Sequence, residues 1–401
     1  MKRTTRLWKD QPVSMLLSSA IDRLGTETAF SVLARAKALE RAGQPVIHLE
    51  IGEPDFDTPP HVVQAAVEGL AAGMTHYCPS AGIDGLRESV AAYFGRTRGL
   101  AVEPEHCLIG TGAKPFIFFT VLAVCEAGDE VVYPSPGFPI YESAIRFAGA
   151  TPVPVELRDE DAFVLDPEAL RAALSPRTKL VILNSPQNPT GGALDPAAVD
   201  AVAEVLAGTD AWIFSDEVYS QLQYDSPFAS VASAPGLTDR TLVLDGLSKT
   251  YAMTGWRCGF AAVPPPLVEP LVRFFVNSTS CVPPFVQHAG IAALEGPQES
   301  VAAMRDEFIR RRSIVVEGLN AIPGVACTVP AGAFYAFPNV SALPIDADEL
   351  ATRLLEDASV ATLSGTAFGA FGDGHLRVSY AASEADLIEA LGRMRALVES
   401  L

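Results

Sequence analysis

The chain has 401 residues, 49% of them hydrophobic, which is enough for a large core and a length that suits two domains. Its formal charge of −19 argues against a nucleic acid or an anionic membrane as the main partner, because both recruit clustered Lys and Arg. The 6 cysteines stand far apart with no CxxC pair, so neither a zinc or other metal site nor a disulfide framework is indicated, and a reducing cytoplasm is expected.

In chain order, MKRTTRLWKDQPVSMLLSSAIDRLG carries basic residues but only a brief apolar piece broken by serines. Nowhere do about eighteen apolar residues run on without charge, so a soluble, unexported protein is expected. AFSVLARAKALERAG has helical spacing and is expected to pack on the C-terminal part of the chain. From about residue 60 to 295, strand-like runs alternate with helix-like stretches: CLIGTG (107–112), DEVVYPSPG (129–137), TPVPVEL (151–157), TKLVILNSPQNPTGG (178–192), AWIFSDEVY (211–219), TLVLDGLSK (241–249) and RCGFAAV (257–263). Between them DPEALRAALS and DPAAVDAVAEVLAG open on an Asp-Pro start signal and read as crossover helices. This rhythm predicts an α/β domain over 60–295, a mostly parallel sheet flanked by helices. Beyond it come a charged helix (297–320), short strands in GVACTV, AFYAFP and HLRVSYA, and a terminal helix from Ser383. Residues 1–59 and 296–401 are therefore expected to form a smaller α+β domain.

Ligands of open parallel sheets collect at the carboxyl ends of the strands, and those ends carry unusual chemistry here. After CLIG stand Gly112, Ala113 and Lys114, small residues ahead of a helix whose backbone N–H groups can hold a phosphate. After DEVVY comes a rigid turn presenting Phe138, after VILNS a Pro- and Gly-rich turn presenting Asn188, after WIFS the pair Asp216-Glu217 with Tyr219, and after TLVLDG the lysine Lys249 between Ser248 and, eight positions on, Arg257. Each has an ordinary reading: a strand-to-helix turn, a core Phe, a turn Asn, a carboxylate capping a helix or pairing with arginine. Together they supply a lysine able to form a Schiff base, an acid for a pyridinium nitrogen and a phosphate anchor, the requirements of pyridoxal 5'-phosphate.

These motifs resemble the class I and II aminotransferases of the aspartate aminotransferase fold type, in their bacterial aspartate/prephenate-like branch. GLSKTYAMTGWR matches the family's lysine motif with its arginine eight positions later. QNPTG, DEVY, PSPGF, IGEPDFDTP and RVSYA follow in the family order, so the resemblance covers nearly the whole chain. It implies a fold type I large domain and transamination by a ping-pong mechanism, from an L-amino acid to a 2-oxo acid, with Lys249 holding the cofactor as a Schiff base (internal aldimine) and shuttling a proton. A lyase on the same fold, β-eliminating or cyclising, is the alternative.

Carried over position by position, the resemblance pairs Asp216 with the ring nitrogen. It sets Tyr219 and Asn188 on the ring O3' and stacks Phe138 on the ring. The phosphate falls to Gly112, Ala113, Lys114, Ser248 and Arg257. Arg377 in HLRVSYA, with Gly52 in EIGEPDF and Asn188, would grip the substrate α-carboxylate. Tyr77 in THYCPSAG matches a tyrosine that reaches the neighbouring subunit's phosphate, which implies a homodimer. Lys114 also matches a position that helps bind a distal carboxylate in part of this branch. Gly246, Cys258 and Pro115 depart from common family residues, and CVPPF after Ser280 is also unusual. A cofactor-sensing DNA-binding protein is disfavoured by the acidic charge. A Ser248–Lys249 hydrolase would leave Asp216, Arg257 and Arg377 without purpose.

Overall fold

The computed structural model describes residues 17–401; the basic N-terminal residues 1–16 lie outside the described residues. Seven strands form the central sheet: β1 (Cys107–Gly110), β2 (Glu130–Ser135), β3 (Thr151–Glu156), β4 (Thr178–Asn184), β5 (Trp212–Asp216), β6 (Thr241–Gly246) and β7 (Gly259–Ala262). Their spatial order is β1-β7-β6-β5-β4-β2-β3. The pairings among β2 to β6 are parallel, and β7 runs antiparallel to β1 and β6. The sheet is thus mostly parallel, as the alternation of apolar runs and helices predicts.

Successive residues of one strand feed opposite faces. Leu180, Ile182, Phe214, Leu242 and Leu244 pack with Phe116 and Tyr141 on one side, while Val181, Leu183 and Ile213 pack with Val202 and Leu206 on the other. Both faces are apolar because helices cover both. The outer strand β3 is the exception, with most of its residues at least partly exposed. Pro152 and Pro154 remove donors from that edge and so discourage pairing with another chain.

Local chemistry starts the crossover helices where the sequence signals lie. Asp166 caps Pro167–Ala173 by accepting from Glu168 N, and Asp195 caps Pro196–Ala207 by accepting from Ala198 N. Ser383 caps the final helix Glu384–Glu399 in the same way, through Asp386 N.

The C-terminal part adds the long helix Glu299–Asn320 and a three-stranded antiparallel sheet made of β8 (Tyr335–Ala336), β9 (Leu363–Ser364) and β10 (Leu376–Ser379), with β10 central. Phe308, Leu319, Phe334, Leu354, Tyr380 and Leu387 fill its core, joined by Leu49 from the N-terminal side and by Tyr219 and Leu222 from the loop after β5. The helix Thr28–Arg41 buries Ala36 against Leu355 and Ala361, where its amphipathic spacing directs it. The expected strand in GVACTV is reduced to a single bridge, Ala326 to Asn339. Gly324 with φ +80 opens the segment, and the buried side that Val325 and Cys327 begin is not continued by Val329, which is 55% exposed. Among the described residues no helix is long and apolar enough to cross a membrane.

Candidate active site

The carboxyl ends of β1, β2, β4, β5 and β6 open onto one cavity of about 580 Å³. Of the residues singled out in the sequence, Gly52, Ala113, Lys114, Phe138, Asn188, Asp216, Tyr219, Ser248, Lys249, Arg257 and Arg377 all line it. Gly112 stands one residue behind the lining. Tyr77 lies elsewhere on the surface, 91% exposed.

Lys249 sits in the short helix Leu247–Thr250 that directly follows β6, so strand and helix together aim its ammonium across the cavity, where it donates to the Gly52 carbonyl. Burial pulls its pKa down from 10.5 to about 8, against the opposing pull of the Glu53 charge. Asp216 ends β5, in register with Asn184 on one side and Leu244 on the other. It is 4% exposed, and burial raises its carboxyl to about 7 although the Tyr141 hydroxyl donates to it at 2.6 Å. A cavity that pushes a lysine and a carboxyl toward neutrality from opposite directions suits proton transfer at ordinary pH.

Arg377, on β10, is the buried cation on the opposite wall. It donates to Asn188 Oδ1 at 3.1 Å and to the Glu50 carbonyl, while its Nε has no partner. Its guanidinium carbon lies 4.7 Å from the Tyr335 ring centre and 4.9 Å from that of Phe368. Burial lowers its pKa, and among the described residues no carboxylate forms an ion pair with it. A buried guanidinium with an orphaned donor is a ready receptor for a ligand carboxylate.

The remaining wall is set by glycines at close approaches. Gly112 has φ +86, and a Cβ there would strike the Arg257 guanidinium. A Cβ at Gly259 would come within 2.6 Å of the Gly112 carbonyl carbon. The bare backbone of β7 thus lets the Gly112-Ala113 turn and Arg257 converge ahead of the helix Lys114–Val124. Pro115 suits that first helical turn, where no N–H is needed. At Gly52 a Cβ would collide with the Tyr335 hydroxyl.

Several residues of the site escaped the sequence reading. Tyr141 braces Asp216, and Tyr335 shares a hydroxyl hydrogen bond of 2.8 Å with Tyr219. Behind the carboxyl ends of β5 and β6 lies a buried ionic cluster. Arg98, from the last turn of the helix Asp84–Arg98, binds Glu217 through Nε at 2.6 Å and Asp245 through Nη2 at 2.5 Å. Ser215 and Ser230 donate to Glu217, and Tyr93 and Ser220 to Asp245. The Asp216-Glu217 doublet at the end of an apolar strand was the available signal, since two adjacent buried carboxylates require a cation nearby.

These residues fit pyridoxal phosphate. A depressed lysine suits its carbonyl, a buried carboxyl its ring nitrogen, and the turn at Gly112 with Arg257 its phosphate.

Residues 44–394 match the family model described as aminotransferase class I and II. The aspartate/prephenate aminotransferase of Thermus thermophilus is 40% identical over 94% of this chain and 97% of that protein. Among solved structures, the aspartate aminotransferase from Rhizobium meliloti superposes with a TM-score of 0.91 at 39% identity, covering 96% of this chain and 99% of that one. An aromatic aminotransferase from Pyrococcus horikoshii superposes with a TM-score of 0.87 at 36% identity, covering 91% and 99%.

Proposed function

We propose, from the premise that this chain belongs to the class I and II aminotransferases, that the cavity at the sheet's carboxyl edge is where its pyridoxal phosphate-dependent transamination takes place. The observation that supports this most is the meeting of Lys249, Asp216 and Arg377 on one cavity, from three separate parts of the sequence. No feature of the cavity favours the elimination alternative.

When bound, pyridoxal phosphate supplies a carbonyl that accepts the amino group and a ring that takes up the electron pair released at the substrate Cα. Lys249 would hold the cofactor covalently and, once substrate displaced it, would act as the base that takes the substrate Cα proton. Its depressed pKa keeps a share of it as free amine near neutral pH. Asp216 would hold the ring-nitrogen proton, and Tyr141, which donates to its carboxylate, keeps it oriented. Tyr219 and Asn188 would hydrogen-bond the ring O3', and Phe138 would stack on the ring. The backbone N–H groups of Gly112, Ala113 and Lys114, with Ser248 and Arg257, hold the phosphate. Arg377 grips the α-carboxylate, aided by Asn188 and the Gly52 N–H. Because the same residues serve both halves of the reaction, donor and acceptor use the site in turn.

Tyr77 reaches the phosphate of a second subunit in a homodimer. Its 91% exposure supports this, as do the exposed Val63, Val67 and Leu70 on the helix Pro60–Ala71. The six unpaired cysteines among the described residues support a cytoplasmic setting. The chain divides into a large domain over 60–295 and a smaller one built from 1–59 and 296–401, residues 1–16 of which lie outside the described residues, a division supported by the separate core around Phe308 and Tyr380.

Borohydride reduction followed by peptide mass mapping tests the assignment. The cofactor mass should fall on the peptide containing Lys249 and vanish in Lys249→Ala. Label on any other lysine refutes it.

A further inference from the structure

Four charged residues of the cavity, Lys249, Asp216, Arg257 and Arg377, are committed to the cofactor and the α-carboxylate, which leaves Lys114, Glu27 and Glu53 among the lining. Glu53 accepts from the Thr254 hydroxyl. Lys114 and Glu27 are joined to each other as an ion pair, the lysine side chain 42% exposed and the glutamate 13%. Glu27 stands immediately before the helix Thr28–Arg41, which fixes its backbone at the cavity wall. The Lys114 ammonium also lies 5.5 Å from the Phe30 ring centre and 5.6 Å from that of Phe138. Glu27 belongs to the substrate side of the cavity, since its charge opposes the fall that burial imposes on Arg377.

We infer that Glu27 is a specificity-determining residue, which neutralises Lys114 and fits the side-chain pocket to neutral amino acids with apolar or aromatic side chains. The inference rests on the placement of the α-carboxylate at Arg377.

A distal carboxylate entering this pocket has two options, and neither gains. It can take Lys114 from Glu27 and leave that carboxylate unpaired, or it can lie against Glu27 and suffer like-charge repulsion. A cationic side chain meets the mirror-image difficulty at Lys114. A neutral apolar side chain leaves the pair intact and lies against Ile51, Ile117 and Phe30, the last 59% exposed. Its attraction to the pocket comes from removing those surfaces from water, and the ion pair supplies the penalty that rejects charged competitors.

Half-reactions of the holoenzyme, followed by the change in cofactor absorbance, test this with phenylalanine, leucine and methionine against aspartate and glutamate. The neutral donors should exceed the acidic ones in kcat/KM by at least about tenfold. Glu27→Gln keeps the shape and frees Lys114, and should raise the aspartate-to-phenylalanine ratio by about tenfold. Binding of two unreactive acids gives a readout independent of turnover: the wild type should prefer 3-phenylpropanoate to succinate, and Glu27→Gln should narrow or reverse that preference. Aspartate or glutamate as the best wild-type donor, or a ratio unmoved by Glu27→Gln, overturns the inference and leaves transamination standing. Conversion of no donor at all refutes the proposed function instead, and the ligand pair still decides the preference of the pocket.

Discussion

The depressed Lys249 is a stability cost that removal of its charge should reveal. Its pKa falls from 10.5 in the unfolded chain to about 8 in the folded one. At ~1.4 kcal/mol per pH unit, that fall corresponds to at most about 3–4 kcal/mol of burial cost borne by the cofactor-free protein at neutral pH. Between pH 8 and 10.5 the unfolded chain still binds a proton that the folded chain has released, so the stability of the wild type rises with pH across this window. Lys249→Met has no such group and lacks the rise. Urea denaturation of both cofactor-free proteins at pH 7 and pH 9.5 measures the difference. The variant should be more stable by about 3 kcal/mol at pH 7, and the gap should shrink by roughly half at pH 9.5. A gap that is the same at both pH values, or a variant less stable than the wild type at pH 7, would refute the claim that a buried ammonium is being held against its preference.

Three further outcomes are expected. Tyr141→Phe removes the donor at 2.6 Å that restrains Asp216. The acid midpoint below which cofactor binding weakens should then move up from about 7 by up to ~1 pH unit, since one charge-assisted hydrogen bond is lost; a downward move contradicts the arrangement. Arg377→Lys keeps the charge but not the fork that faces Asn188 and Glu50, so KM for amino donors should rise about 10- to 100-fold with a smaller effect on kcat. Arg98→Met strands Glu217 and Asp245 in the interior and should lower stability by about 3–5 kcal/mol in urea titrations, whereas adding Glu217→Gln should restore part of it.

Much of the site was legible in the sequence because several of its residues sit where an apolar run stops, while Arg377 and Gly52 were legible only through the resemblance. Asp216, Lys249 and Asn188 announce themselves as polar groups at strand ends, and a parallel sheet gathers such ends on one side. The central strands were legible for the same reason, their buried faces leaving continuous Val, Ile and Leu runs. The two-residue strands Ile47–His48 and Val360–Ala361 were not, because a pair that short has no periodicity and exists only through tertiary contact. Tyr141 and Tyr335 were hidden too. Each lies among other aromatic residues, and only the fold shows which hydroxyl faces a carboxylate and which a second tyrosine. Arg98 reads as one more surface arginine in YFGRTRGL until the helix that bears it is seen to end against the sheet. Glu27 falls between the two N-terminal stretches that the sequence singles out, and its pairing with Lys114 joins positions whose adjacency no local pattern encodes.

The ionic cluster around Arg98 also couples two of the residues of the cavity mechanically. One guanidinium ties the residue after β5 to a residue within β6, and these are the strands that deliver Asp216 and Lys249. Loosening the last turn of the helix Asp84–Arg98 therefore slackens both at once, although that helix contributes nothing to the cavity lining. A disturbance at this joint, away from the reacting atoms, is expected to displace both groups together.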